Sequence, residues 1–315
     1  MSSNSVNTAR YAFVFPGQGA QQVGMGLDLM ASSRAAKLVF DEVDEALGIN
    51  LSKIVFEGPE EDLKNTMNTQ PAILTMSIAC LRAMEEILGE RMPSPSFVAG
   101  HSLGQYTALI ASKSMTLSTA AVLVRERGRL MQYASELSSG GMAALIGMED
   151  SVIEDICSET GTEISNLNAP GQTVISGSSQ AIEKAVTLAT ERGARRAIPL
   201  PVAGAFHSQL MKPAQEGLDV AIDNAVLSDP QIPIIANSTG LPLTNREEIK
   251  SELSNSLCSP VRWRDSIKYM VETSGVQTIY EIGPGKALSG MVTRIAPDTE
   301  VRNIELLENI NSLVE

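Results

Sequence analysis

Two short apolar segments that each stop at a glycine-rich turn constrain the fold more than any other feature. Tyr11–Phe15 runs directly into Pro16-Gly17-Gln18-Gly19, and Phe97–Gly100 runs into His101-Ser102-Leu103-Gly104. A buried parallel strand commonly meets an active-site loop through a junction of this kind. Helical segments follow the first of these turns: Gly26–Leu47 and Pro71–Leu88. Strands that alternate with helices in this way predict a parallel sheet covered on both faces.

A different pattern occupies residues 139–203. It reads as strand, helix, two strands, helix and strand: Met142–Met148, Ser151–Glu159, Glu163–Leu167, Thr173–Ser176, Gln180–Arg192 and Arg195–Pro199. This βαββαβ order is typical of ferredoxin-like units. We therefore expect a small ferredoxin-like subdomain at 139–203, inserted into a large α/β subdomain made of 1–138 and 204–315. The large subdomain resumes with strands at Ile232–Asn237 and Thr278–Ile282.

Composition and charge exclude several classes of function. A formal net charge of −13 over 315 residues argues against general nucleic-acid binding. The three cysteines form no CxxC pair, so neither a disulfide framework nor a metal site is favoured. The longest apolar stretch, Pro71–Leu88, contains Arg82, Glu85 and Glu86, which predicts a buried helix and no membrane association.

The polar segment Met1–Arg10 lacks the apolar run of a secretory signal. We therefore expect a cytoplasmic protein. The alternative is an organelle stroma or matrix, if this segment is the remnant of a transit peptide.

The second glycine-rich turn fits the G-x-S-x-G nucleophile elbow. Gly100-His101-Ser102-Leu103-Gly104 lies after a predicted strand and before a predicted helix, Gln105–Ala111, as that motif requires. The glycines permit a sharp turn that exposes the serine oxygen, which predicts Ser102 as a nucleophile. The amide of Leu103 then points to where an oxyanion would form.

A serine nucleophile needs a base, and the chain has only two histidines. His101, the neighbour of Ser102, is expected to point away from the serine oxygen and to make a structural hydrogen bond beneath the elbow. His207 is left as the general base. Such a base needs an acceptor on its other ring nitrogen, and a backbone carbonyl can serve where no aspartate is evident.

Arg127 lies on the apolar stripe of a predicted helix, Leu117–Leu137. A buried arginine needs a partner, since an unpaired buried charge is costly. Two interpretations remain open. Arg127 forms a structural salt bridge, or its planar guanidinium clamps a substrate carboxylate in bidentate fashion.

Several motifs in order along the chain resemble the malonyl-CoA:acyl carrier protein transacylases, the acyltransferase family of fatty-acid and polyketide synthesis. The resemblance covers nearly the whole chain and rests on five segments: Phe15-Pro16-Gly17-Gln18-Gly19-Ala20-Gln21, Gly100-His101-Ser102-Leu103-Gly104-Gln105-Tyr106, Arg127-Gly128, Phe206-His207-Ser208 and Gly283-Pro284-Gly285-Lys286.

The resemblance implies an α/β-hydrolase-like parallel-sheet core with a ferredoxin-like insert. It implies Ser102 as nucleophile, His207 as base, and an oxyanion hole formed by the backbone amides of Gln18 and Leu103. Arg127 would hold the malonyl carboxylate. Bulky Phe206, before the histidine, resembles the malonyl-using branch, where it crowds out an α-methyl group. The family often has a glutamine whose backbone carbonyl orients the base, and Ser256 stands at that position here.

The implied reaction is a ping-pong transfer of malonyl from malonyl-CoA to the phosphopantetheine thiol of an acyl carrier protein, through a malonyl-serine, in support of fatty-acid synthesis. The substrates are malonyl-CoA and the carrier protein, with no bound cofactor, and we expect a monomer. Local positive clusters are candidates for carrier-protein docking, although they are equally compatible with solvated charge: Arg262, Arg264, Lys268, Lys286, Arg294, Arg195 and Arg196.

Alternatives use the same residues differently. A stand-alone polyketide acyltransferase would share the chemistry, and a serine thioesterase or esterase would discharge the acyl-serine to water. A nucleotide-binding protein could use Gly17-x-Gly19, but the third glycine of the dinucleotide fingerprint is missing. A non-catalytic module that binds carrier proteins would not need the elbow.

Overall fold

The computed structural model describes residues 10–202 and 204–314. The N-terminal segment interpreted above for targeting lies outside the described residues except for Arg10. The described part of the chain contains ten strands: β1 (Tyr11–Phe15), β2 (Pro95–Gly100), β3 (Gly140–Ile146), β4 (Glu163–Ala169), β5 (Gln172–Ser178), β6 (Arg196–Pro199), β7 (Ile234–Ile235), β8 (Pro242–Leu243), β9 (Thr278–Ile282) and β10 (Glu300–Ile304).

The α-helices of the same residues alternate with these strands: α1 (Leu27–Ser32), α2 (Arg34–Leu47), α3 (Leu51–Glu57), α4 (Glu60–Lys64), α5 (Thr66–Leu88), α6 (Gly104–Ala111), α7 (Leu117–Leu137), α8 (Asp150–Thr160), α9 (Ser179–Glu191), α10 (Lys212–Asn224), α11 (Arg246–Leu253), α12 (Trp263–Lys268), α13 (Ala287–Ile295) and α14 (Leu307–Asn311). Short 3₁₀ segments lie at Gly89–Arg91 and Gln209–Met211, and α12 continues into a π-helical turn at Tyr269–Thr273. None of these helices combines the length and the apolar character needed to cross a membrane.

The large sheet has the strand order β10-β9-β1-β2-β7-β8, and all neighbouring pairs are parallel except β7–β8. The predicted parallel-sheet core is therefore confirmed. Phe15 pairs with Gly100 at the end of β1 and β2, so the two glycine-rich turns begin side by side. Ligands of open parallel sheets bind at this carboxyl edge of the strands.

Helices cover both faces of this sheet. Successive residues of a strand point to opposite sides, and because those of β1 are apolar on both sides, each side must be buried. Phe13 and Phe15 pack into a core shared with α2, α5 and α7. Ala12 and Val14 pack on the other side against Trp263 of α12 and residues of α13.

The elements predicted for residues 139–203 are present in the predicted order. They form a separate antiparallel sheet with the strand order β4-β5-β3-β6, against which α8 and α9 pack. Strand β4 attaches this sheet to the rest of the chain. Leu167 donates its amide to the carbonyl of Val261 at 2.9 Å, and Val261 donates to Ser165 at 2.8 Å.

Some predicted boundaries are wrong. The segment Gly26–Leu47 is not one helix, since Ser33 adopts an extended conformation and its hydroxyl caps α2 by accepting from Ala36 at 3.0 Å. Helix α5 begins five residues before Pro71, because the side chain of Asn65 caps it there. Of Ile232–Asn237, only the two residues of β7 pair in the sheet.

Two strands of the large sheet escaped prediction. Strand β8 has only two residues and begins with a proline, and the edge strand β10 alternates exposed polar residues with less exposed ones.

Candidate active site

The elbow around Ser102 depends on the absence of side chains at both flanking glycines. An ideal Cβ on Gly100 would lie 1.9 Å from the carbonyl carbon of Gly104. A Cβ on Gly104 would lie 2.1 Å from the carbonyl oxygen of Phe15. Between them Ser102 has a φ of +51°, a left-handed conformation that costs about 1 kcal/mol or more for a residue other than glycine. The strain lies at the residue whose oxygen the turn exposes, and His207 has a similar left-handed φ of +57°.

Asn237 holds the elbow in this conformation. Its side-chain oxygen accepts the amide of Ser102 at 2.7 Å, and its side-chain nitrogen donates to the carbonyl of Gly100 at 2.7 Å. Asn237 follows β7 at the carboxyl edge of the sheet and is 4 % exposed. One buried side chain is therefore hydrogen-bonded to the turn at both Gly100 and Ser102. The sequence interpretation missed this residue, and its only signal was its place directly after a strand of the same sheet.

The structure brings Ser102 and His207 together across 105 residues of chain. The distance from Ser102 Oγ to His207 Nε2 is 2.8 Å. On the other side of the ring, Nδ1 lies 2.9 Å from the carbonyl of Ser256 and 3.2 Å from that of Ser259. Carbonyl oxygens only accept, so Nδ1 carries the proton and Nε2 presents a lone pair to the serine hydroxyl. The carbonyl of Ser256 thus lies where the resemblance implies, while that of Ser259 was not predicted.

The surroundings of His207 favour its neutral form. Burial lowers the pKa of His207 to about 3, and the positive charge of Arg127 acts in the same direction. The Ser256 carbonyl opposes this shift, since it accepts a hydrogen bond from the ring. A neutral imidazole at physiological pH is able to accept a proton, which is the state that a general base requires.

Arg127 projects from α7 into the same site and is 1 % exposed. Its Nη2 donates to Ser102 Oγ at 3.0 Å, and its Nη1 donates to the side-chain oxygen of Gln70 at 2.8 Å. Its Nε has no acceptor in the described part of the chain, and the guanidinium lies 5.5 Å from the centre of the Tyr106 ring. None of the ion pairs among the described residues includes Arg127. Burial lowers the pKa of this guanidinium.

The backbone near the serine offers two candidate oxyanion donors. Within the described residues, the amides of Gln18 and Leu103 donate to no protein acceptor, whereas that of Ser102 is bound by Asn237. The loop that carries Gln18 lies directly against the elbow, because an ideal Cβ on Gly17 would be 2.5 Å from the carbonyl oxygen of His101. A glycine is therefore required for this close approach.

The other predicted residues occupy distinct places. His101 does not contact the serine oxygen; its Nε2 bonds Asn168 of β4 at 2.9 Å and its ring packs edge-on against Trp263. The structural hydrogen bond expected of His101 is therefore confirmed. Phe206 is buried in the core beside the base, and its carbonyl accepts from Ser176 at 2.6 Å.

The basic clusters are only partly neutralised. Arg264 pairs with Asp150 at 2.6 Å, Arg262 pairs with Asp265 at 3.2 Å, and Arg294 donates to Gln172. The remaining members form no ion pair among the residues that the structure describes: Arg195, Arg196, Lys268 and Lys286.

Comparison with known proteins gives a consistent result. Residues 12–306 match the acyl transferase domain family. The malonyl CoA-acyl carrier protein transacylase of Bacillus subtilis is 44 % identical over 292 residues, which cover 91 % of this chain and 90 % of that protein. The enzyme of the same name from Escherichia coli K12 is 41 % identical over 290 residues, covering 91 % and 93 %.

Solved structures agree with this assignment. An acyl-carrier-protein-S-malonyltransferase from Bartonella henselae superposes with a TM-score of 0.92 at 41 % identity, covering 97 % of this chain and 98 % of the other. A malonyl-transacylase in complex with its type II PKS acyl-carrier protein gives a TM-score of 0.93 at 36 % identity, covering 97 % and 99 %. The chain therefore belongs to the acyl transferase domain family and, within it, to the malonyl CoA-acyl carrier protein transacylases.

Proposed function

We propose that this protein transfers malonyl from malonyl-CoA to the phosphopantetheine thiol of an acyl carrier protein, through a malonyl ester on Ser102. The observation that carries the proposal is the hydrogen-bonded cluster of Ser102, His207 and Arg127. The serine oxygen lies 2.8 Å from a neutral histidine and 3.0 Å from a buried arginine without an acidic partner in the described part of the chain. Nucleophile, base and a cation suited to a carboxylate are thus adjacent.

In the first half-reaction, His207 Nε2 takes the hydroxyl proton as Ser102 Oγ attacks the thioester carbonyl. The amides of Gln18 and Leu103 stabilise the oxyanion, a contribution on the order of 3 kcal/mol per donor in acyl-transfer sites. The C–S bond then breaks, and the coenzyme A sulfur receives the proton from His207. In the second half-reaction the carrier-protein thiol gives its proton to His207 and its sulfur attacks the ester carbonyl. The bond between that carbon and Ser102 Oγ then breaks, and Oγ receives the proton back from His207.

Arg127 supplies specificity for malonyl. The substrate carboxylate is the anion that its buried guanidinium would pair with, and the pair would be bidentate because the fork presents parallel N–H groups. The Nε atom of Arg127, which has no acceptor among the described residues, supports this role. Phe206 limits the space beside the base, so we propose that it disfavours acyl groups with an α-methyl substituent.

The orientation of the base is assigned to the backbone. We propose that the Ser256 carbonyl, assisted by that of Ser259, fixes the tautomer of His207. A side-chain carboxylate is not needed for this purpose, since a carbonyl accepts the same N–H.

The two separate sheets suggest that the chain forms two subdomains. We propose a large α/β-hydrolase-like catalytic subdomain of residues 1–138 and 204–315, and a small ferredoxin-like subdomain of residues 139–203. The strand order β4-β5-β3-β6, generated by a βαββαβ sequence of elements, supports the second description. Ser102 lies within hydrogen-bonding distance of both His207 and Arg127 of the same chain, and we propose that the protein acts as a monomer.

The acidic chain carries positive charge where a carrier protein could dock. We propose that Arg195, Arg196, Lys268 and Lys286 contribute, because none of them is neutralised by an ion pair within the described residues. We assign the reaction to fatty-acid biosynthesis. A polyketide role is the second candidate, since a structural relative is bound to a type II PKS acyl-carrier protein.

The fate of the acyl group tests the transferase against a hydrolase with the same residues. Protein loaded with malonyl-CoA is chased with holo carrier protein or with buffer alone. The proposal predicts that malonyl appears on the carrier protein, and that free malonate forms much more slowly in buffer. Malonate release at the rate of turnover without a thiol acceptor would refute it.

A further inference from the structure

Glu252 is a buried acid that takes no part in the mechanism above. It lies in the last turn of α11, is 6 % exposed, and belongs to none of the ion pairs formed by the described residues. Three donors satisfy its carboxylate. Oε1 accepts from Gln105 Nε2 at 3.0 Å and from the amide of Ser238 at 3.0 Å, and Oε2 accepts from the Ser238 hydroxyl. A charge buried in this way is tolerated only when such hydrogen bonds offset its lost hydration.

The donors to Glu252 belong to the two segments that hold the nucleophile. Gln105 lies in the first turn of α6, three residues after Ser102. Ser238 follows Asn237, the residue whose amide fastens Ser102 and Gly100. The carboxylate therefore ties the helix that leaves the elbow to the loop that clamps it.

The same acid is close in sequence to the support of the base. Four residues after Glu252, the Ser256 carbonyl accepts from His207 at 2.9 Å. The intervening turn is fixed by its own contacts, since the Ser256 hydroxyl donates to the carbonyl of Leu253 at 3.0 Å and Gln215 bonds both that carbonyl and the Leu257 amide. Because these contacts make the turn rigid and Leu253 directly follows Glu252, we expect a displacement of Glu252 to reach the histidine as well as the serine.

We propose that Glu252 is a positioning residue, whose carboxylate holds the nucleophile elbow and the base-supporting turn in one fixed relation. The inference rests on the proposed function at Ser102. It assigns Glu252 no contact with substrate. Reaction between Ser102 and His207 requires their 2.8 Å contact, and a displacement of about 1 Å can cost on the order of a hundredfold in rate.

The matched test compares two buried carboxylates of similar local chemistry. Glu281 is fully buried in β9 and accepts from Leu288 N, Ser289 N and the Ser289 hydroxyl, so it also combines backbone and serine donors. Those donors belong to α13. The variants Glu252→Gln and Glu281→Gln each replace one carboxylate oxygen by an amide NH2 group with almost no change in side-chain size.

The readouts are the rate constant for malonylation of Ser102 and the KM for malonyl-CoA, with Tm measured in parallel. We expect Glu252→Gln to slow acylation about tenfold or more, with KM changed less than about twofold because Arg127 is untouched. Glu281→Gln should acylate at the wild-type rate even if its Tm falls. Wild-type acylation in Glu252→Gln, or equal slowing in both variants, would overturn the inference.

A second variant and a second probe keep the test decisive. If Glu252→Gln does not fold, Ser238→Ala removes one hydrogen bond to the same carboxylate, and about threefold slower acylation is expected; an unchanged rate would overturn the inference. A fluorophosphonate that labels activated serines reports the positioning of Ser102 without malonyl-CoA. Wild-type protein that reacts with this probe but not with malonyl-CoA would refute the proposed function alone. Slower labelling of Glu252→Gln would still support the positioning role.

Discussion

Replacement of Arg127 by methionine should remove malonyl transfer selectively. Methionine has a similar length and keeps the buried volume, but it has no donor for a carboxylate. In the wild-type protein the guanidinium is 1 % exposed and its only polar side-chain partners in the described part of the chain are Gln70 and Ser102. A malonyl carboxylate placed in this site would therefore be buried and unpaired in the variant.

The size of the effect follows from that burial. Removal of one partner from a buried ion pair costs about 3 kcal/mol or more. At 1.4 kcal/mol for each factor of ten, kcat/KM for malonyl-CoA should fall about a hundredfold or more. Acetyl-CoA lacks the carboxylate, so its kcat/KM should remain within about threefold of wild type or rise.

Stability should behave differently from activity. The unpaired charge of Arg127 opposes folding, because burial lowers the pKa of its guanidinium and no acid compensates within the described residues. Removal of this charge should stabilise the methionine variant, and loss of the hydrogen bond to Gln70 should destabilise it. We expect Tm to change by less than about 5 °C.

The assay measures kcat/KM for both thioesters with holo carrier protein as acceptor. Arg129→Met is the matched control, since Arg129 lies on the same helix, is exposed, and among the described residues pairs only with Glu126, at 2.6 Å. It should leave both substrates unaffected. An equal loss on malonyl-CoA and acetyl-CoA in Arg127→Met, together with a large fall in Tm, would show that Arg127 has a structural role only.

Four further expectations concern the base and the carrier protein. His207→Ala should abolish fast acylation of Ser102 in a rapid-mixing experiment, and an unchanged rate would remove His207 from the mechanism. Because the pKa of His207 is lowered to about 3, acylation should stay level from about pH 8 to about pH 5, whereas inflection near the ordinary histidine value of about 6.5 would contradict the burial effect. The lowered pKa of His207 also makes stability depend on pH. In the unfolded chain His207 binds a proton below about pH 6.5, whereas in the native state it does not. The free energy of unfolding, followed by urea titration, should therefore fall as pH drops from about 6.5 towards about 3. Charge reversal at Lys286 or Arg196 should raise KM for the carrier protein and leave acylation by malonyl-CoA unchanged; an unaltered carrier-protein KM would exclude these residues from docking.

The sequence predicted those parts of the site that depend on local backbone geometry. The elbow, the strand before it and the helix after it are encoded within a few residues, since Gly100 and Gly104 are required by contacts shorter than 3 Å to an ideal Cβ. Only two histidines were available, which left a single base once His101 was assigned to the interior. Parallel-sheet topology then brought the carboxyl ends of β1 and β2 to one edge, as the alternation of elements predicted.

The missed residues contribute through contacts between distant parts of the chain. Asn237 reaches Ser102 across 135 positions, and Glu252 reaches Gln105 across 147. Apart from the place of Asn237 directly after a strand, nothing in their own neighbourhoods marks them, because a buried asparagine or glutamate is recognised only by the partner that the fold supplies. Gln70 was also missed, because it lies outside the helix that the sequence predicted. It lies in the turns of α5 before Pro71, which the Asn65 cap adds to the predicted helix.

The central claim is that Ser102 carries the malonyl group between the two substrates, and intact mass spectrometry tests it most directly. Wild-type protein and Ser102→Ala are mixed briefly with malonyl-CoA, quenched, weighed and digested to map the modified site. We predict one malonyl adduct on Ser102 of the wild-type protein, discharged by holo carrier protein and stable in buffer, and none on the variant. An adduct that maps elsewhere or persists in Ser102→Ala, or its absence while malonyl still reaches the carrier protein, would contradict the account.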